Sequence, residues 1–212
     1  ILLLFVLPPP AAPAAAGRHR FDWRPLRAVW KPLTILYFAV FIRSIVQIGF
    51  TQFIPLYLVH ERGYSLARAS STLSLYLLAG AVGGFIGGHF ADRFGGRLVI
   101  LISMIGSVPF LALFLATGGA VSAIGLALGG LILLFTIPVN VVMAQELVPS
   151  QSGTISALMM GFAWGAAGVI FIPLTGWVAD MTSLHFALSS LVAFPVLGFL
   201  LTLKLPQDLR HA

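Results

Sequence analysis

Gly88-His89-Phe90-Ala91-Asp92-Arg93-Phe94-Gly95-Gly96-Arg97 separates two long apolar stretches of this chain. These ten residues are charged, glycine-rich and tightly turned, in a sequence that is otherwise compatible with hydrocarbon. Of 212 residues, 59% are hydrophobic and 8% charged, with a mean hydropathy of +1.03. A soluble domain carries about 25% charged residues, so this sequence holds too little charge to cover a water-facing surface. It reads as an integral membrane protein, and the run at 88–97 as a short polar connection between two spans. There is no cysteine, which excludes disulfides, thiol catalysis and thiolate metal sites.

Working outward from that run, six apolar segments lie at about 33–59, 66–90, 97–117, 120–144, 153–179 and 183–204. Each is near or above the ~20 residues that a membrane helix needs. Their connections are short, which implies antiparallel neighbours. The reading is an all-α, polytopic membrane bundle of six helices over 33–205, with a tail at 206–212. Residues 1–7 are apolar but too short to span, and read as the end of a truncated transmembrane helix. A Pro/Ala-rich and then basic linker occupies 8–32, with Trp23 and Trp30 among its cations. Tryptophan interleaved with Arg and Lys beside a bilayer marks an interfacial, cytoplasmic segment rather than a nucleic-acid site.

Orientation follows from Lys and Arg. With the linker inside, the inner side holds Arg18, Arg20, Arg24, Arg27, Lys31, Arg93, Arg97, Lys204 and Arg210, and the outer side Arg62 and Arg68. Both ends of the six-helix unit are therefore expected on the cytoplasmic side of a plasma membrane.

Arg43 is the one formal charge deep inside a span. It lies roughly 15 Å from the start of the first segment at 1.5 Å per residue. An arginine there costs at least ~2.5 kcal/mol unless it faces a partner or a wet cavity. Gln47 and Thr51 follow at i+4 and i+8 and extend a polar face. Thr136 and Asn140 form a second i, i+4 pair on the fourth segment, flanking Pro138, and Trp164 lies mid-span on the fifth. This set is read as the lining of an aqueous substrate pathway. The alternative for Arg43 is a structural arginine satisfied by a neighbouring helix; for Trp164 it is ordinary packing.

Gly88, Asp92, Arg93, Gly95, Arg97 and Glu146 are grouped as a cytoplasmic gate. Asp92 suits the positive end of another helix, and Gly95 permits the reversal. Gly80 and Gly84 on the second segment, and Gly161 and Gly165 on the fifth, repeat at small-xxx-small spacing and are read as helix-packing sites. The histidines pair with no carboxylate or second histidine at ligand spacing, so no metal site is expected. No cofactor is expected either, and no nucleophile elbow, phosphate loop or zinc helix is present to support an enzyme.

The pattern Gly88-x-x-x-Asp92-Arg93-x-Gly95-x-Arg97 resembles the cytoplasmic loop signature of the major facilitator superfamily, with Gly96 where a basic residue is frequent. Arg43 to Gln47, the stretch Pro138 to Pro149 and the glycine-rich fifth segment are similar to its fosmidomycin-resistance branch. The resemblance implies that 33–205 is the C-terminal half of a transporter whose other six-helix half is missing. It further implies alternating access, a small-molecule substrate, and proton-coupled efflux of a drug or similar compound across a bacterial inner membrane. A non-transporting membrane scaffold, or an inactive fragment, is the alternative.

Overall fold

Six helical spans run Trp30–His60, Leu66–Phe94, Gly96–Ala116, Gly119–Leu147, Pro149–Met181 and Leu184–Thr202 in the computed structural model, which describes residue 27 and residues 29–206. All six are long and apolar enough to cross a membrane, and no strand occurs among the described residues. The truncated helix expected at 1–7, the linker up to 26 and the tail from 207 lie outside the described residues.

Proline decides where helices break. Pro55, Pro109 and Pro173 sit inside continuous helix. Pro138 and Pro195 do not. Proline lacks an N–H, and its ring presses on the carbonyl four residues earlier. For Pro138 that residue is Leu134, and the fourth span breaks at Leu134 and Phe135 into Gly119–Leu133 and Thr136–Leu147. For Pro195 it is Leu191, and the sixth span breaks at Ala193. Carbonyls freed in a membrane need a donor. Ser103 of the third span supplies one, its hydroxyl lying 2.6 Å from the Ile132 carbonyl and 2.9 Å from that of Leu133.

The run at 88–97 is tighter than the sequence predicts. The second helix continues to Phe94 and the third begins at Gly96, so Gly95 alone makes the reversal at φ +86°. Only glycine adopts that conformation readily. Asp92 and Arg93 thus occupy the last turn of a helix, not a loop.

The glycine ladder of the second span meets the fourth. A Cβ on Gly87 would sit 2.5 Å from Phe135 Cα, and one on Gly83 would sit 2.8 Å from the Leu131 carbonyl carbon. Two backbones therefore touch there, as small residues permit. Of the expected pair, Gly80 faces the Leu134 side chain and Gly84 comes only to 3.9 Å of the Leu134 carbonyl. Gly161 and Gly165 have no atom of another element within 4 Å of where a Cβ would be, so they pack no helix among the described residues.

At the end away from Gly95, two adjacent residues staple the bundle. The Glu61 carboxylate accepts from the backbone N–H groups of Leu184 and His185, at the start of the sixth span. Arg62 donates to the carbonyls of Phe114 (3.0 Å) and Leu115 (2.8 Å) and also to that of Thr117, at the end of the third span. Its Nε donates to the Tyr57 hydroxyl at 2.8 Å. Opposite charges thus meet the helix termini that attract them. Arg62→Ala is expected to cost about 2–3 kcal/mol, because bonds from a charged donor are lost together. Arg68→Ala, whose guanidinium lies over the Tyr64 ring at 4.4 Å, is expected to cost under about 0.5 kcal/mol. Thermal unfolding of the two variants in detergent checks the difference.

The buried side chains form two apolar layers stacked along the bundle. One contains Ile45, Phe50, Tyr76, Phe114 and Leu191; the other contains Leu36, Val40, Met104, Val139 and Met159. Arg43 and Ser44 fall between them in the first span.

Candidate functional site

The first span is the longest single helix among the described residues, 31 residues from Trp30 to His60. Arg43 is 13 residues in, about 20 Å at 1.5 Å per residue, and is only 5% exposed. Its Nη1 donates to Gln47 Oε1, one turn on, and its Nη2 to Ser44 Oγ at 3.0 Å. A guanidinium offers five N–H groups. Nε is buried with no partner. No carboxylate pairs with this cation among the described residues; the titratable group within electrostatic reach is the Tyr76 phenol of the second span. Tyr76 is itself fully buried, and its hydroxyl has no hydrogen-bond partner. A cation held in low dielectric without a counter-charge is unfavourable.

Two cavities open beside it. The smaller, about 330 Å³, is lined by Arg43, Gln47, Ile137, Val141, Met159 and Trp164. The larger, about 600 Å³, is lined by Gln47, Thr51, Gln52, Leu77, Trp164 and Gly168, among others. Gln47 and Trp164 line both, so the two form one depression walled by the first, second, fourth and fifth spans. Thr51 is held with its hydroxyl donating to the Gln47 carbonyl at 2.7 Å.

Four of the expected pathway residues therefore come together: Arg43, Gln47, Thr51 and Trp164. Thr136 and Asn140 line neither cavity. Both are fully buried, Thr136 bonding back to the Leu133 carbonyl at 3.3 Å. Their successors, Ile137 and Val141, supply the wall instead. One residue on a helix is about 100° of rotation, and the break before Pro138 resets the phase of the fourth span. Asn140 is left with both amide atoms buried and unpartnered.

The fifth span contributes an irregularity that hydropathy does not show. Residues Ala157–Phe162 form a π-helix between Ser152–Ser156 and Ala163–Met181. Single π turns are rare and concentrate at functional sites. This one carries Met159 and Met160 into the smaller cavity, with Trp164 one turn beyond.

At the basic end, Gly88, Asp92, Gly96, Pro138 and Glu146 line a separate cleft of about 130 Å³. The two carboxylates thus face one space, from the second and fourth spans. Asp92 caps no helix among the described residues, and Gly95 stands at the start of the third span without a side-chain bond. Arg93 is exposed, while Arg97 donates to the Leu203 carbonyl at the end of the sixth span, 3.0 Å away. Gly96 packs under Met143 and Val139, whose Cγ atoms would come within 2.9 and 3.0 Å of a Cβ there. A longer residue at that position requires the Met143 side chain to move.

The family model described as Major Facilitator Superfamily matches residues 1–173 and again 36–211. The chain belongs to that superfamily. Among curated relatives it is 43% identical over 157 residues to an MFS-type transporter, YfnC, of Bacillus subtilis (strain 168), covering 74% of this chain and 38% of that protein. It is 31% identical over 187 residues to the fosmidomycin resistance protein of Escherichia coli (strain K12), covering 88% of this chain and 45% of that one. A crystal structure of the superfamily transporter FucP in the outward conformation superposes with TM-score 0.75 at 19% identity, over 98% of this chain and 51% of that one. The chain therefore spans about half or less of the length of these proteins. Six apolar helices and superfamily membership make it a multi-pass membrane protein of a transport family.

Proposed function

We propose that this chain is one six-helix half of a secondary active transporter that works by alternating access. In this reading Arg43 and Gln47 contact an anionic or polar small molecule in the depression between the first and fifth spans. The single observation that carries it is a buried guanidinium, open to a cavity, with no carboxylate partner among the described residues. An incoming anion replaces the missing counter-charge, and the planar fork of arginine suits a carboxylate, phosphonate or phosphate. The second and fifth spans are the least covered, with 22% of each buried against 61% for the first. Their bare faces flank the depression and fit a second six-helix unit that closes the path around a central site.

Efflux coupled to protons is the finer proposal, and similarity to the fosmidomycin resistance protein supports it. The coupling acid is then Glu146 or a residue of the other half, since no carboxylate occupies the middle of these spans. The basic end, with Arg93, Arg97 and Lys204, is assigned to the cytoplasm of a bacterial inner membrane, and the Asp92–Glu146 cleft to the inner gate.

The test is uptake of fosmidomycin into everted vesicles carrying the chain joined to its second half, with and without an imposed proton gradient, acid inside. Accumulation that collapses with an uncoupler is expected. Accumulation unaffected by the gradient rejects proton coupling, and none for any small organic anion rejects the substrate reading.

A further inference from the structure

The cytoplasmic ends of the first and sixth spans enclose a groove of about 730 Å³ that the transport reading does not use. Arg27, Lys31 and Lys204 line its mouth, and Trp30, Phe38 and Leu201 line its length. All three cations are exposed. None makes an ion pair or hydrogen bond among the described residues; Lys31 lies over the Trp30 ring, 6.0 Å from its centroid. Lys31 and Phe38 are seven residues apart on one helix, so the groove passes from charged to apolar over about 10 Å. Trp30 is 57% and Phe38 45% exposed.

We propose that this groove binds one anionic phospholipid, its phosphate held by Arg27, Lys31 and Lys204 and an acyl chain laid along Phe38 and Leu201. Charge complementarity selects that occupant. Three unpaired cations converge where no carboxylate lines the wall. The chain has no acidic stretch to fill the site: outside the described residues its carboxylates are Asp22 and Asp208 alone, against Arg18, Arg20, Arg24 and Arg210. A free phosphate would satisfy the mouth but leave the apolar length open to water. A phospholipid satisfies both, and the exposed Trp30 indole stands at the end of the first span, the kind of position where tryptophan favours the interface.

The experiment is native mass spectrometry of the purified chain titrated with phosphatidylglycerol or phosphatidylcholine of equal chain length. The wild type is expected to retain one phosphatidylglycerol preferentially. Each cation near a membrane surface contributes about fivefold, so Lys31→Gln with Lys204→Gln is expected to weaken retention about 30-fold. Arg93→Gln, which removes a charge at the same end but outside the groove, is expected to leave it unchanged. Phe38→Ser is expected to weaken phosphatidylglycerol retention while leaving inorganic phosphate a poor competitor. Equal retention of the two lipids, or a double variant that behaves as wild type, overturns the proposal. Full displacement by millimolar phosphate together with an inert Phe38→Ser overturns the lipid as occupant.

Discussion

Arg43→Met is expected to abolish transport without weakening the fold. Truncating one partner of a buried, hydrogen-bonded charge pair costs about 2–5 kcal/mol, or roughly 30- to 5,000-fold in binding. In the proposed reading the partner is the substrate anion, so the loss is expected to fall on transport. Stability runs the other way. The guanidinium is buried, bonded among the described residues only to Gln47 and Ser44 on its own helix, and has an orphaned Nε. Replacing such a charge by an apolar residue of similar volume is often neutral or stabilising. A structural arginine that clamps neighbouring helices predicts the reverse, a fall in both. Arg43→Lys keeps the charge but loses the planar fork, and is expected to retain a small part of the flux. Flux in vesicles and thermal unfolding of the same preparations separate these outcomes.

The second large effect is steric and lies far from any charge. Gly83→Val and Gly87→Val each force side-chain atoms onto the backbone of the fourth span, at Leu131 and Phe135. Backbone cannot yield as a flexible side chain does. Overpacking a filled core costs about 1–3 kcal/mol, and separating two spans by a side-chain layer is expected to reach the top of that range or exceed it. The break at Leu134 and Phe135 lies at this contact, so the smaller cavity is displaced with it. Gly161→Val and Gly165→Val meet open space within the chain. They are expected to leave the six-helix unit intact, and to interfere only where a second unit docks. Membrane abundance of the four variants by immunoblot, with the first pair several-fold below the second, checks this.

Composition and span length made the six-helix membrane bundle readable from sequence, because hydrocarbon tolerates so few alternatives. The depth of Arg43 was readable too, by counting along one uninterrupted helix. The fourth span was not. Pro138 announces a disturbance, but where the phase resumes depends on how the Ser103 hydroxyl donates to the freed carbonyls, a contact between different spans. That is why Thr136 and Asn140 sit in packing while Ile137 and Val141 reach the cavity. Small-xxx-small counting finds two overlapping ladders on the second span, Gly80 with Gly84 and Gly88, and Gly83 with Gly87, and does not choose between them. Ala69, Tyr76, Gly80, Gly83 and Gly87 recur at seven, four, three and four residues and form its buried stripe. That spacing picks Gly83 and Gly87 over Gly84, and brings Tyr76 toward Arg43. The Glu61–Arg62 staple was invisible, since its partners are backbone groups of two distant spans. The π-helix at 157–162 likewise has no mark in an apolar run.

The absence of cysteine from this sequence provides the most direct test of whether the central cation faces water. Val141→Cys places a thiol on the wall of the Arg43 cavity, and Leu111→Cys places one in the dry core, where Leu111 is fully buried. Each is treated in vesicles with a charged, membrane-impermeant maleimide from either side. Labelling of Val141→Cys, slowed by fosmidomycin, with Leu111→Cys inert, is the expected result. A Val141→Cys thiol that stays unreactive from both sides, as unreactive as Leu111→Cys, contradicts a wet passage at Arg43 and with it the transport site.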